Sequence, residues 1–158
     1  MKVDFAPAGK RRQDSVYAGL KKLKNIDLVL IHDVARPAIE KEIILKSISE
    51  AAHSGACIIG VPSKDTLKIV GDKDWIKETP ERSTIWNAQT PQAFRFDLIQ
   101  EAYEQALKNK WEVTDDASLV ERMGVRVKMV MGSYENIKVT TPEDAAIVER
   151  ILERRGLT

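Results

Sequence analysis

The side chains able to do chemistry sit in a few short polar segments. In LVLIHDVARP, Leu28 to Pro37, an apolar run is followed within six positions by His32, Asp33, Arg36 and Pro37. A carboxylate at the end of a buried strand can hold Mg²⁺ or accept hydrogen bonds from substrate hydroxyls. A nearby guanidinium can fork onto a phosphate or onto Asp33 itself. The same residues suit a structural role, with Asp33 capping a helix that begins near Pro37 and Arg36 in an ion pair. TDDAS, Thr114 to Ser118, places two acids and two hydroxyls at the start of a helix, where they also serve as caps. NIKVTTPED puts Lys138 in a strand-like run, pointing outward from an edge. AGKRRQDS offers Gly9, Lys10, Arg11, Arg12 and Ser15 ahead of a helix, either as a phosphate or pyrimidine cradle or as a solvated loop. WNAQTPQAF has Gln89, Thr90 and Gln92 around Pro91 and reads as a turn whose side chains satisfy the backbone.

The elements that must position these groups follow from apolar periodicity. Val16, Leu20 and Leu23 recur at helical spacing, and DLVLI reads as a short buried strand. Ile44, Ile48 and Ala51 mark a helix closed by Gly55, and Cys57 to Val61 forms a second buried strand. From Pro62 to Trp86 two runs of mixed polarity flank Gly71-Asp72-Lys73-Asp74, which predicts a projecting β-hairpin. Phe96, Ile99, Tyr103, Ala106 and Leu107 suit a helix, and Val125 to Met131 a strand. A last helix has Thr141 as N-cap and Pro142 at its first position. Strands that are apolar on every face, alternating with helices, predict an α/β, Rossmann-like fold: a mostly parallel sheet flanked by helices. In such sheets ligands bind beyond the carboxyl ends of the strands, where HDVARP falls.

Composition sets the bounds. The 158 residues make one domain, with 43% hydrophobic and 31% charged residues. Twenty-five basic side chains against 24 acidic ones, a formal net charge of +1, give no electrostatic footprint for nucleic acid or a membrane surface. Cys57 is alone, which excludes a disulfide framework and a thiolate metal site and favours a reducing cytoplasm. The sequence shows neither a signal-peptide stretch nor a run of membrane-spanning length.

Taken in order, GKRRQDSVYAGL, VLIHDVARP, DTLK, ERSTIWNAQTPQAF, TDDASLVE and GVRVKMVMGSYENIKVTTPED resemble the 2-C-methyl-D-erythritol 4-phosphate cytidylyltransferase family. Ribitol 5-phosphate cytidylyltransferases share some of these segments, but HDVARP and TDDASLVE look more like the methylerythritol branch. The resemblance implies that CTP and the alcohol phosphate react, with Mg²⁺, to give the cytidine diphosphate alcohol and pyrophosphate. By that likeness Gly9 and Ser15 contact the cytidine. Asp33 stands where metal, nucleotide and alcohol meet, and Lys138 neutralises charge near the α-phosphate. Thr114 lies by the sugar-alcohol pocket and Arg36 braces the site. The hairpin, about residues 62–86, becomes a dimerisation arm of a homodimer, with Thr66 and Arg82 holding the alcohol phosphate of the opposite subunit.

The same likeness implies a departure. The family's opening strand, glycine-rich CTP loop and early lysine have no counterpart here, and the eight glycines never take a phosphate-loop spacing. The expectation is a truncated nucleotidyltransferase domain over 1–158, nearly inert alone, or a non-catalytic dimer module that keeps a sugar-phosphate pocket.

Overall fold

The computed structural model describes residues 3–157. Helix α1 (Arg12–Leu20) leads into strand β1 (Leu28–Ile31), then α2 (Lys41–Ser54) and β2 (Ala56–Pro62). The short strands β3 (Ile69–Val70) and β4 (Ile76–Glu78) form the hairpin, followed by β5 (Trp86–Arg95), α3 (Phe96–Asn109), α4 (Ala117–Arg122), β6 (Lys128–Met131) and α5 (Pro142–Arg154). No described helix is long and apolar enough to cross a membrane.

The main sheet has the order β1-β5-β2-β6. Strands β1, β2 and β6 share one direction, and β5 runs against them between β1 and β2. The sequence pattern thus gives the common direction of three strands, while the inserted β5 makes both of its own ladders antiparallel. Alternation explains the two covered faces. Leu28, Leu30, Cys57, Ala93 and Val130 pack with Ala51 of α2, whereas Val29, Ile31, Ala56, Ile58 and Phe94 pack with residues of α3 and α4, including Ile99, Tyr103, Leu119 and Val120. Helix α5 has its own small core, in which Val148 and Ile151 close on Ala38.

Two local readings change. WNAQTPQAF is not a turn: it lies within β5, where the Thr90–Pro91 peptide is cis. The ladder with β2 runs from Ile58↔Gln92 to Gly60↔Ala88, so Gln89, Thr90 and Pro91 bulge out of register. Turn-forming residues here make a bulge inside a buried strand, because the flanking residues pair on both sides. No helix begins at Pro37 either. Helix α2 starts at Lys41, and the intervening chain is held by the Arg36 N–H donating to the Asp33 carbonyl at 2.9 Å.

The hairpin forms as its pattern predicts. Ile69 pairs with Glu78 and Val70 with Ile76, and Lys73 and Asp74 adopt positive φ in the turn. Val70, Trp75 and Ile76 are exposed on it. At its base the Tyr134 hydroxyl donates to the Pro62 carbonyl at 2.8 Å, and the Lys64 ammonium sits 3.6 Å from the centroid of the Tyr134 ring.

Candidate functional site

Asp33 is the second residue beyond the end of β1. Its backbone N–H donates to Thr90 Oγ1 at 3.0 Å, so the β5 bulge fixes the turn that carries it. Thr90 Oγ1 also meets His32 Nδ1 at 3.0 Å, and His32 Nε2 lies 3.1 Å from the Arg36 carbonyl. A carbonyl only accepts, so Nε2 donates to it, and with a neutral imidazole the Thr90 hydroxyl donates to Nδ1 while Thr90 Oγ1 accepts from the Asp33 N–H. The three contacts form one consistent chain.

The Asp33 carboxylate is shared between two cations. Lys138 Nζ is 2.8 Å from Oδ2, and Arg12 Nε donates to Oδ1 at 3.3 Å. Side-chain exposure is 17% for Asp33, 45% for Lys138 and 32% for Arg12, so the cluster lies at a solvent boundary and Lys138 has room to move. Burial alone raises the Asp33 pKa, but Lys138 and then Arg12 outweigh it, and the net shift is downward. Lys138 is therefore not the outward-pointing lysine of an edge strand. The segment after β6 is unpaired by any strand and is tied by the Val139 N–H to the Ala35 carbonyl at 2.8 Å, which turns Lys138 onto Asp33.

Arg36 does not fork onto Asp33. Its Nη1 donates to the Asn136 carbonyl at 2.7 Å, joining the HDVARP loop to NIKVT, and burial lowers its pKa despite the nearby Asp33 charge. Asn136 is itself fully buried, and its Nδ2 donates to the Thr90 carbonyl at 2.9 Å. Loop, bulge and lysine segment are thus one bonded unit.

Gly9 and Ser15 are brought together, the Gly9 N–H donating to Ser15 Oγ at 2.9 Å. A Cβ on Gly9 would lie 2.3 Å from Asp14 Cβ, so only glycine permits this approach. Asp14 in turn accepts from the Arg11 N–H and pairs with its guanidinium at 2.8 Å, fixing the start of α1. Thr114 is exposed and lines a depression of about 500 Å³ with Arg11, Arg12, Gln13, Ser118 and Arg122. Arg12 belongs to both the Asp33 cluster and this depression, and so links Thr114 to Asp33 and Lys138. Thr66 and Arg82 lie apart at the base of the arm. Both are exposed, and Arg82 Nη1 donates to the Lys64 carbonyl at 3.3 Å.

The sequence reading missed how much depends on Arg12, Asp116 and Gln92. Arg12 stood among several basic residues of AGKRRQDS with nothing to single it out. Its Nη2 donates to Asp116 Oδ2 at 2.7 Å, and Asp116 is 1% exposed. Gln92 Oε1 accepts from the backbone N–H groups of Asp116 (3.0 Å) and Ala117 (2.9 Å), and its Nε2 donates to Asp115 Oδ2 at 3.0 Å. The only sequence signal was a glutamine in an otherwise buried run.

Known proteins match this chain in sequence and in fold. The family model described as 2-C-methyl-D-erythritol 4-phosphate cytidylyltransferase (IspD) matches residues 1–154. The protein of that name from Clostridioides difficile (strain 630) is 58% identical over 151 residues, which are 95% of this chain and 63% of that protein. The one from Shouchella clausii (strain KSM-K16) is 52% identical over 93% of this chain and 64% of its own length. Among solved structures, the 4-diphosphocytidyl-2C-methyl-D-erythritol synthase of Anaerococcus prevotii superposes with a TM-score of 0.83 at 40% identity, covering 93% of this chain and 65% of that one. The 2-C-methyl-D-erythritol 4-phosphate cytidylyltransferase of Thermus thermophilus gives 0.84 at 33% identity, covering 92% and 70%. The chain thus spans a little under two thirds of the curated relatives' length. With its ordered motifs, its Rossmann-like sheet and a family match over nearly its whole length, the chain belongs to the IspD family.

Proposed function

We propose that this chain binds CTP and 2-C-methyl-D-erythritol 4-phosphate and serves the transfer of the cytidylyl group between them. The observation that carries the reading is the Asp33 carboxylate held between Lys138 and Arg12, beside a depression that contains Thr114. In this reaction an oxygen of the alcohol phosphate attacks the α-phosphorus of CTP, and pyrophosphate leaves with the electron pair of the broken bond. Such a transfer needs positioning and fixed positive charge rather than a protein nucleophile. Lys138 supplies that charge near the α-phosphate, Gly9 and Ser15 meet the cytidine, and Thr114 meets the alcohol. Arg36 keeps the loop and the lysine segment in register.

Mg²⁺ fits the residues present in one mode. Among the described residues no group of three or more His, Cys, Asp or Glu could hold a metal ion. A half-buried carboxylate with a depressed pKa remains ionised, and Mg²⁺ commonly takes one or two carboxylates plus substrate phosphates. Asp33 would hold the ion together with phosphate oxygens, and the ion would offset their charge.

The reading extends to a homodimer through the arm, with Thr66 and Arg82 reaching the partner's alcohol phosphate, and to a cytoplasmic location without nucleic acid or membrane as partner. The curated relatives carry residues beyond those matched here, so the same geometry also supports binding of the alcohol phosphate without turnover.

Calorimetric titration with Mg²⁺-CTP and with 2-C-methyl-D-erythritol 4-phosphate, alongside an assay of pyrophosphate release, separates these readings. Heat from both ligands with pyrophosphate release supports transfer, and heat from the alcohol phosphate alone supports the binding module. Silence toward both, or tighter binding of ribitol 5-phosphate, defeats the assignment. Lys138→Ala is expected to cut pyrophosphate release by about a hundredfold or more while leaving the melting temperature nearly unchanged, because a half-exposed lysine contributes little to folding.

A further inference from the structure

Arg12 is held in a manner that its pairing with Asp33 does not require. Its contact with Asp33 is long, 3.3 Å, and comes from Nε. The shorter contact, 2.7 Å, runs from Nη2 to Asp116, a residue that the solvent does not reach. Nη1 donates to no described residue, and Arg12 lines the depression that contains Thr114. One edge of the guanidinium is anchored and the other is available at the site.

The anchor is fixed from several directions. The Tyr103 hydroxyl donates to the second oxygen of Asp116. Gln92 accepts from the Asp116 backbone N–H. The Tyr103 ring stacks on Tyr17 with centroids 5.6 Å apart, and Tyr17 lies on α1, the helix that Arg12 begins. Tyr103 therefore supports Arg12 twice: through Tyr17 it holds the helix that carries the backbone, and through Asp116 it holds the side chain. A fully desolvated carboxylate paired with an arginine and a tyrosine is costly to bury. Packing alone would be served as well by apolar residues.

We propose that Asp116, latched by Tyr103, is a positioning residue that aims Arg12 so that its free donors receive a substrate phosphate, which replaces Asp33 as the partner of Arg12. The guanidinium stays aligned before the anion arrives, so the ordering cost is met on folding rather than on binding. Asp33, released from Arg12, keeps Lys138. The identity of the anion as a substrate phosphate rests on the function proposed above; the aiming of Arg12 does not.

The test follows the arginine Nε–H signals of the full chain by ¹⁵N NMR while inorganic phosphate, and separately Mg²⁺-CTP and 2-C-methyl-D-erythritol 4-phosphate, are added. In the unaltered protein the Arg12 signal should report hindered rotation and shift with phosphate. Asp116→Asn keeps the shape but removes the charge. It should free the rotation and weaken phosphate binding by about tenfold, the loss expected for one charge-assisted hydrogen bond. Tyr103→Phe should do the same to a smaller degree, and it decides the matter if Asp116→Asn does not fold. Unchanged rotation and unchanged phosphate affinity in the folded variants overturn the proposal, as does an Arg12 signal that ignores phosphate in the unaltered protein. If phosphate moves Arg12 and neither organic ligand does, the proposed function fails while the aiming of Arg12 stands.

Discussion

Asp33 carries the clearest pH signature. Its pKa in the folded chain lies below the ordinary 3.8, because Lys138 and Arg12 together outweigh the burial that pushes the other way. A group of this kind contributes stability that is fully present above its unfolded pKa and is lost as pH falls through the folded value. The stability difference between the unaltered protein and Asp33→Asn should therefore stay constant from neutrality down to about pH 4 and shrink only below it. Urea melts at a series of pH values would show this, and a difference already fading at pH 6 would contradict the pairing. Cys57 behaves in the opposite way. Burial, with a further push from the Glu50 charge, raises its thiol to about 11. The shift leaves roughly a hundredfold less thiolate than an ordinary cysteine holds at the same pH, so a disulfide reagent should label Cys57 at pH 8 only after the chain is unfolded. At this scale the sequence was partly legible. Asp33 stood out because it breaks an apolar run, whereas Lys138 read as an edge lysine, and only the likeness to the family set it near the Asp33 carboxylate that it contacts. Asp116 did not stand out, because an acid at a helix start has a sufficient local explanation as a cap, and only the fold reveals Arg12 opposite it.

Among the elements, β5 governs the site. Its bulge residues Gln89 and Thr90, with the in-register Gln92 beside them, reach three separate segments, and each side chain satisfies backbone that is partly or fully buried. Gln92→Ala would leave two N–H groups of the α4 start unpaired and open a cavity. We expect a loss of about 2–4 kcal/mol by urea denaturation. Phosphate affinity should fall with it, since Asp116 loses its backbone hold. Helices α2, α3 and α5 were legible as elements from periodicity and caps, although α2 buries Ile43, Ser47 and Ala51 and leaves Ile48 exposed, as α3 leaves Leu107, and pattern and structure agree best at the start of α5. Thr141 shows the agreement, with its hydroxyl accepting from the Asp144 N–H while Asp144 accepts from the Thr141 N–H. Strand β5 was not legible, because proline and threonine at its centre carry the local signature of a turn. Pairing on both sides overrides that signature, and such pairing is a property of distant residues.

For the molecule as a whole, the arm is a feature whose sequence pattern and structure agree and whose apolar side chains lack cover. Val70 and Ile76, which pair across a two-stranded hairpin, and the neighbouring Trp75 are all exposed, and such a hairpin is marginal in water by itself. The homodimer proposed above predicts a light-scattering mass of twice the chain. Trp75→Ser with Ile76→Lys should reduce it to a monomer without lowering the melting temperature of the remainder.

The order of the main sheet also bears on how the chain is made. Strands β1 and β2 are linked in the sheet only through β5, which is encoded after both of them and after the arm. A ribosome therefore releases LVLI and ACIIGVP on the order of seconds before the segment that joins them. In that interval neither nascent strand has its β5 ladder partner, and both apolar segments stay unpaired on that edge until Arg95 has emerged.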